Sequence, residues 1–218
     1  MKNKLLILCM FLFGIFSINY VRAETNDLKL LGKVIYLDPG HGGIDPGAVY
    51  KDIEEADINL KIAQKTQTIL EQYGAIVYLT RYGDYDLSVP NTINKKRSDL
   101  SRRGNIINRS NCDLYLSIHL NAESSSTWKG AQMFYDDNNK ENEKIAEIFQ
   151  EQFKKNLKTN REYKQKESFY LAKRVERPGI LIEAGFITNP NERYLLTTEN
   201  YQNKIASTIS EATIKYFT

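Results

Sequence analysis

The apolar residues of this 218-residue chain recur with two periods, and the two periods alternate along it. "KVIYLDPG" (33–40) is a β-branched apolar run stopped by Pro-Gly, which predicts a strand. From Glu54 to Tyr73 the positions Ile58, Ile62, Ile69 and Tyr73, with Ala63, Thr66 and Leu70 beside them, repeat at helical spacing, and Gly74 caps the run. "AIVYLTR" (75–81) predicts the next strand and "DLSRRGNIINRSN" (99–111) the next helix, despite Gly104. "LYLSIHLNA" (114–122) and "GAQMFYD" (130–136) predict strands. Residues 140–158 predict an amphipathic helix with Ile145, Ile148, Phe149 and Phe153 on one side. "FYLAKRV" (169–175) and "GILIEAGFI" (179–187) predict two strands around "ERPG". The closing "NYQNKIASTISEATIKYF" predicts a helix with Ile205, Ile209, Ala212 and Tyr216 inward. Strands alternating with helices imply crossover connections. The expected fold is therefore a three-layer α/β architecture, a mostly parallel twisted sheet with helices on both faces. The longest irregular piece is 85–99, and no repeat, low-complexity stretch or second domain interrupts the alternation.

The first residues break this pattern. Lys2 and Lys4 precede the apolar run "LLILCMFLFGIFSI", followed by "NYVRAET" with Val21 and Ala23 where a signal peptidase reads small residues. About 14 apolar residues are few for a membrane span and suit a signal peptide. The expected division is a signal peptide over 1–23, or an uncleaved anchor, a short segment over 24–32 and a single catalytic domain over 33–218. Such a leader also changes the charge. The chain carries 30 Lys and Arg against 27 Asp and Glu, and the leader holds Lys2, Lys4 and Arg22 with no acid. The remainder is balanced at 27 against 27, which argues against nucleic acid as a partner. A membrane would be met only through an uncleaved leader. Of two cysteines, Cys9 leaves with the leader, so Cys112 has no internal disulfide partner.

The chemistry gathers at one predicted edge. In open α/β sheets ligands bind beyond the carboxyl ends of the strands. There stand His41, after the first strand, and His119, at the end of "LYLSIHLNA", which are the only two histidines of the chain. Glu54 and Glu55 lie at the next helix start, Asn121 follows His119, and Glu183 ends "GILIEAGF" among apolar neighbours. A glutamate in such a setting is rare unless paired or bound to metal. Two imidazoles and a carboxylate suit catalytic zinc, which keeps a fourth position open for water. A second carboxylate would move the proton, and the set suits amide hydrolysis. The alternative for "DPGHGGIDPG" (38–47), a phosphate-cradling loop, fails because no Lys-Ser/Thr follows and the glycines do not run G-x-G-x-x-G.

At these residues the chain resembles the zinc-dependent N-acetylmuramoyl-L-alanine amidases of the Amidase_3 family, from about residue 33 to 217. "YLDPGHGGIDPGA" is similar to the family's opening motif and implies His41 as a zinc ligand. "EADINLKIA" is similar to its Glu-Lys-Asp-x-Asn-Leu helix start, with Ala56 in place of lysine, and implies Glu55 rather than Glu54 as the second ligand. "RRGNIINRSNCDLYLSIHLNA" implies His119 as the third, with Cys112 a small buried residue. "GILIEAGFITNPNE" implies Glu183 as the catalytic glutamate. The loop at 85–99 and "SIHLNAESSSTWKGAQMFY" resemble the germination-specific CwlD-type members. That resemblance implies one Zn2+ and removal of peptide stems from spore-cortex peptidoglycan, a step toward muramic-δ-lactam. It also implies an extracytoplasmic site, the developing spore's intermembrane or cortex space. With no wall-binding module, an extracytoplasmic protein partner is expected for localisation or activity. Arg81 and Arg103 are expected in salt bridges or near an anionic stem, and Trp128 against a sugar or in the core. Two other readings stand beside this one: another zinc peptidoglycan hydrolase, peptidase or deacetylase, and a non-catalytic wall-binding protein.

Overall fold

The computed structural model describes residues 28–166 and 169–218; the expected leader over 1–23 lies outside them. The strands are β1 (Val34–Pro39), β2 (Val49–Tyr50), β3 (Ile53–Glu54), β4 (Ile76–Leu79), β5 (Leu114–Asn121), β6 (Gln132–Tyr135), β7 (Lys164–Gln165) and β8 (Gly179–Phe186). The helices are α1 (Glu55–Gln72), α2 (Lys95–Arg109), α3 (Asn142–Leu157), α4 (Pro190–Leu196) and α5 (Glu199–Phe217). Six strands form one sheet in the order β4-β1-β5-β8-β6-β7, and β2 pairs with β3 apart from it. β4, β1, β5 and β8 are parallel; β6 runs antiparallel to β8, and β7 follows β6. The mostly parallel sheet with helices on both faces is thus the observed architecture. No helix among the described residues is long and apolar enough to cross a membrane.

The two faces differ in kind. On one, Ile35 and Leu37 of β1, the even-numbered residues 114–120 of β5 and Ile180, Ile182 and Ala184 of β8 meet α1, α3 and α5 in a continuous apolar core. Helix α1 contributes Ile58, Ile62, Ala63 and Leu70, while Ile69 and Tyr73 are half-buried at its flank. Gly74 ends this helix in the left-handed region at φ 87°, as its sequence position suggests. On the other face a smaller cluster joins Tyr36, Ile107, Cys112, Tyr115, Leu171 and Val175. Cys112 is the small buried residue expected, its thiol pushed up by burial.

The two-residue strands β2, β3 and β7 are too short to show a period, and three larger elements also differ from the sequence pattern. Residues 169–175 are not a strand: Ala172–Arg174 form a 3-10 turn, and Leu171 and Val175 pack into the smaller cluster. Their spacing of apolar residues reflects a loop lying on α2, not a pleat. Gly104 is what allows the approach, since a Cβ there would sit 3.3 Å from Arg174 Cβ. Helix α2 begins four residues earlier than expected, capped by Asn94, whose side chain accepts from Arg97 N at 2.9 Å. Its buried face is Asp99, Arg103, Gly104 and Ile107, which no hydrophobic period can reveal. Helix α4 was unmarked by periodicity, yet Asn189 caps it and Pro190 opens it.

Candidate metal centre

β1 delivers its chain to a loop that must bend sharply. His41, Gly42 and Gly43 all have positive φ (63°, 120° and 62°), and Gly42 and Asp45 close the bend through a pair of backbone bonds. His41 is not glycine, so its backbone is strained there. Two buried arginines hold it. Arg81 donates to the carbonyls of Pro39 (3.0 Å), Gly40 (2.9 Å) and Ala56 (2.7 Å). Arg103 donates to Pro39 O (2.8 Å) and His41 O (2.7 Å) while pairing with Asp38 (2.9 Å) and Asp99 (2.8 Å). Asp38 completes the set by accepting from Thr80 and Ser117. Burial opposes its charge, but Arg103 and these hydroxyls hold its carboxyl below the ordinary value. Arg103 therefore makes the salt bridges expected of it. Arg81 instead grips carbonyls and makes no ion pair among the described residues, and both arginines are almost fully buried.

The loop brings His41 to the other two expected ligands. Glu55 Oε1 lies 3.3 Å from His41 Nε2 and 3.1 Å from His119 Nδ1. One ligand atom from each of the three residues falls within 4.8 Å of the others. Glu54, the neighbour weighed with Glu55, is exposed and turned away as the residue before α1. Glu55 is fixed by Leu120 N to Oε1 (2.9 Å), Ala48 N to Oε2 (2.9 Å) and Asn59 Nδ2 to Oε1 (3.3 Å). Burial would raise its pKa, but hydrogen bonds from His119 and His41 hold its carboxyl far below the usual carboxylate range. His41 Nδ1 faces Asp45 Oδ2 at 3.0 Å, and Lys96 reaches the same oxygen at 3.4 Å. Nε2 is thereby turned toward Glu55, while Nδ1 stands close to Asp45 outside hydrogen-bond geometry. Burial disfavours a charged His41, yet Glu55 and Asp45 together push its pKa up.

The residues present fit a zinc ion. The donors are two nitrogens and one oxygen, and ligands about 2.0–2.1 Å from tetrahedral zinc stand about 3.3 Å apart. The two observed donor separations, 3.3 and 3.1 Å, match that spacing. The surroundings also make room. A Cβ at Gly40 would stand 2.1 Å from His119 Cε1, and one at Gly47 2.7 Å from Glu55 Oε2. Both positions exclude a side chain so that ligands can converge.

Glu183 lies across the strand pair from His119, the two being direct partners of β5 and β8. It lines a cavity of about 260 Å³ with His41 and His119, walled by Leu100, Phe169, Leu171 and Leu181. Its Oε2 is buried without a hydrogen-bond partner. Burial pushes its carboxyl up and Glu55 adds to the shift, while His119 opposes it. Lys96 and Lys166 line the same cavity. Asn121 lies past a break in register, and its side chain makes no hydrogen bond to the three clustered residues. The residue supporting Glu55 is Asn59, one helical turn on, and a buried Glu-x-x-x-Asn pair was its only trace in sequence. Asp45, Asp38 and Asp99 carry no such trace, since their partners are fixed only by the fold.

The chain as a whole has clear counterparts among known proteins. Residues 35–215 match the Amidase_3 family of N-acetylmuramoyl-L-alanine amidases. The germination-specific N-acetylmuramoyl-L-alanine amidase of Bacillus subtilis (strain 168) is 43% identical over 216 residues, covering 97% of this chain and 91% of the relative. The CwlD amidase of Clostridioides difficile, solved in complex with the GerS lipoprotein, superposes with a TM-score of 0.81 at 41% identity. That match covers 85% of this chain and 98% of CwlD. The catalytic domain of CwlV from Bacillus (Paenibacillus) polymyxa var. colistinus gives 0.75 at 28% identity, covering 84% of this chain and 97% of the other. With residues 35–215 matched and a 43% identical relative covered over nearly its whole length, the chain, which brings His41, Glu55 and His119 together, belongs to the Amidase_3 family of N-acetylmuramoyl-L-alanine amidases.

Proposed function

We propose that the protein hydrolyses the amide between N-acetylmuramic acid and L-alanine in peptidoglycan, using one zinc ion held by His41, Glu55 and His119. The observation that carries this reading is the convergence of those three side chains beside the unpartnered carboxylate of Glu183, in a member of this family. A bound zinc ion supplies Lewis-acid polarisation of the attacked carbonyl and of water. The chain's own residues do the rest. Glu183 takes a proton from water and returns it to the departing nitrogen, and its upward-shifted pKa suits a group that must hold that proton in between. The acyl carbon–nitrogen bond breaks, the glycan keeps a lactyl carboxylate and the stem leaves as an amine. Leu100, Phe169, Leu171 and Leu181 give the cavity a dry wall.

The likeness to a germination-specific relative supports a role in spore cortex, as a step toward muramic-δ-lactam. We place the protein outside the cytoplasmic membrane, with 1–23 as its export leader and 33–218 as one catalytic domain. The complex of CwlD with a lipoprotein supports an extracytoplasmic protein partner for this chain too.

Zinc quantification on purified protein, with mass analysis of digested muropeptides, tests the reading. One zinc per chain, free stems and unsubstituted muramic acid are expected, and Glu183→Gln should keep the zinc and lose the release. Cleaved stem peptides or deacetylated sugars would replace this reading with that of another zinc hydrolase. For the cortex role, expression in B. subtilis lacking its germination-specific relative should restore muramic-δ-lactam to the spores; spores still without it would count against the role.

A further inference from the structure

A second and larger concavity, of about 800 Å³, opens away from the zinc cluster at the carboxyl end of β8, on the side of α3 and α5. Trp128, the only tryptophan of the chain, stands on its wall 49% exposed, so it is not a core aromatic. Arg161 is stacked between two rings, its guanidinium 4.7 Å from the Trp128 centroid and 4.8 Å from that of Phe186. Its Nε donates to Lys129 O at 2.9 Å, and neither terminal nitrogen has a hydrogen-bond partner among the described residues. Lys129, Lys158 and Lys204 line the same groove, and none forms an ion pair among those residues. One carboxylate, Glu192, is present, and backbone amides occupy both its oxygens: Gly130 N on Oε1 and Phe186 N on Oε2, each at 2.8 Å. Four cations therefore face the groove against a single, already engaged, acid.

Positive charge beside an exposed indole selects a ligand that is both anionic and ring-bearing. The apolar face of a sugar ring suits the indole, and carboxylates suit Arg161 and the lysines. The reaction proposed above creates such a ligand. Each hydrolysis exchanges an amide on the glycan for a free lactyl carboxylate. Phe186 lies three residues beyond Glu183 on β8, a rise of about 10 Å. Glu183 faces α2 and the groove faces α3 and α5, so one glycan strand crossing the end of β8 would touch both.

We propose that this groove binds stem-free glycan, the anionic product of earlier cleavages on the same strand. The proposal rests on the amidase reading for its ligand and is tested without turnover. Stem-free muropeptide glycan, carrying free lactyl carboxylates, is titrated into the full chain while the fluorescence of Trp128 is followed, with calorimetry as a second readout. Saturable binding is expected, weakened about tenfold by Arg161→Gln, the loss of about one charge-assisted contact. The double change Lys129→Gln/Lys204→Gln, at exposed positions, should weaken it comparably, and added salt should weaken it further. A neutral chitooligosaccharide of equal length should bind at least about tenfold less well. The proposal is overturned by no binding in either readout. Equal binding of the neutral sugar also overturns it, as does a response to free stem peptide or polyglutamate in place of glycan. Muropeptide release by the same preparation reports separately on the amidase reading: release without glycan binding sinks the groove alone, and binding without release sinks the catalytic reading alone.

Discussion

The two faces of the sheet solve different problems with the same strands. Toward α1, α3 and α5 the buried side chains of the strands are apolar, chiefly Ile and Leu, and they meet a mainly apolar helix surface. Toward α2 the buried centre is Asp38, Thr80, Asp99, Arg103 and Ser117, joined by hydrogen bonds. The apolar face is non-directional, and it drives collapse through buried area. The polar face is directional: it fixes the carbonyls of Pro39, Gly40 and His41, and so the ligand they lead to. Both faces stabilise the fold, while the path of the His41 loop is fixed from the polar one.

The sharpest separation comes from Glu183→Gln. It should lower kcat by about 10²–10⁴-fold, the usual scale for a general acid–base group. Thermal denaturation should show no loss of Tm, because a buried unpartnered carboxylate is removed. A large drop in Tm would mean that Glu183 is structural.

Next come two variants of matched severity. Arg103→Met strands Asp38 and Asp99, and Phe149→Ala empties part of the apolar core; each should cost about 3–5 kcal/mol in urea unfolding. Arg103→Met should also weaken zinc binding in folded protein, whereas Phe149→Ala should not. Equal zinc affinity in the two would break the division between the faces.

A smaller effect is expected of Asn59→Ala, which takes one donor from Glu55. Zinc affinity should fall about 10–100-fold by competition with a chelator, the range for such supporting groups. An unchanged affinity would leave Glu55 held by Leu120 N and Ala48 N alone.

The mildest test is acid. Asp38 has a folded pKa below its unfolded value of about 3.9. Its stabilisation is therefore full above that value and is lost as pH falls through the folded pKa. Unfolding free energy of the wild type should decline through this acid range, and Asp38→Asn, less stable at neutral pH, should decline less steeply. Parallel curves would remove Asp38 as a source of the acid sensitivity.

This contrast also explains what could be read from the chain. Periodicity reveals β1, β5, β8, α1, α3 and α5 because apolar residues dominate their buried faces. It misplaced the start of α2 and mistook 169–175 for a strand because that side is organised by Asp99, Arg103 and Gly104. The candidate site was legible where residues were scarce and stood at strand ends, as with His41 and His119, which the fold brings together beside Glu55. Its supports were not: Asp38 and Arg103 are 65 residues apart, and only the folded chain makes them neighbours.

The arginine grip has one more consequence. Arg81 and Arg103 hold the loop by main-chain oxygens, and none of their bonds to it reaches a side chain of residues 39–41. The mount is therefore indifferent to what it carries. A change of side chain at position 41 leaves every one of those bonds available, so the path of the loop and the group it presents are set independently.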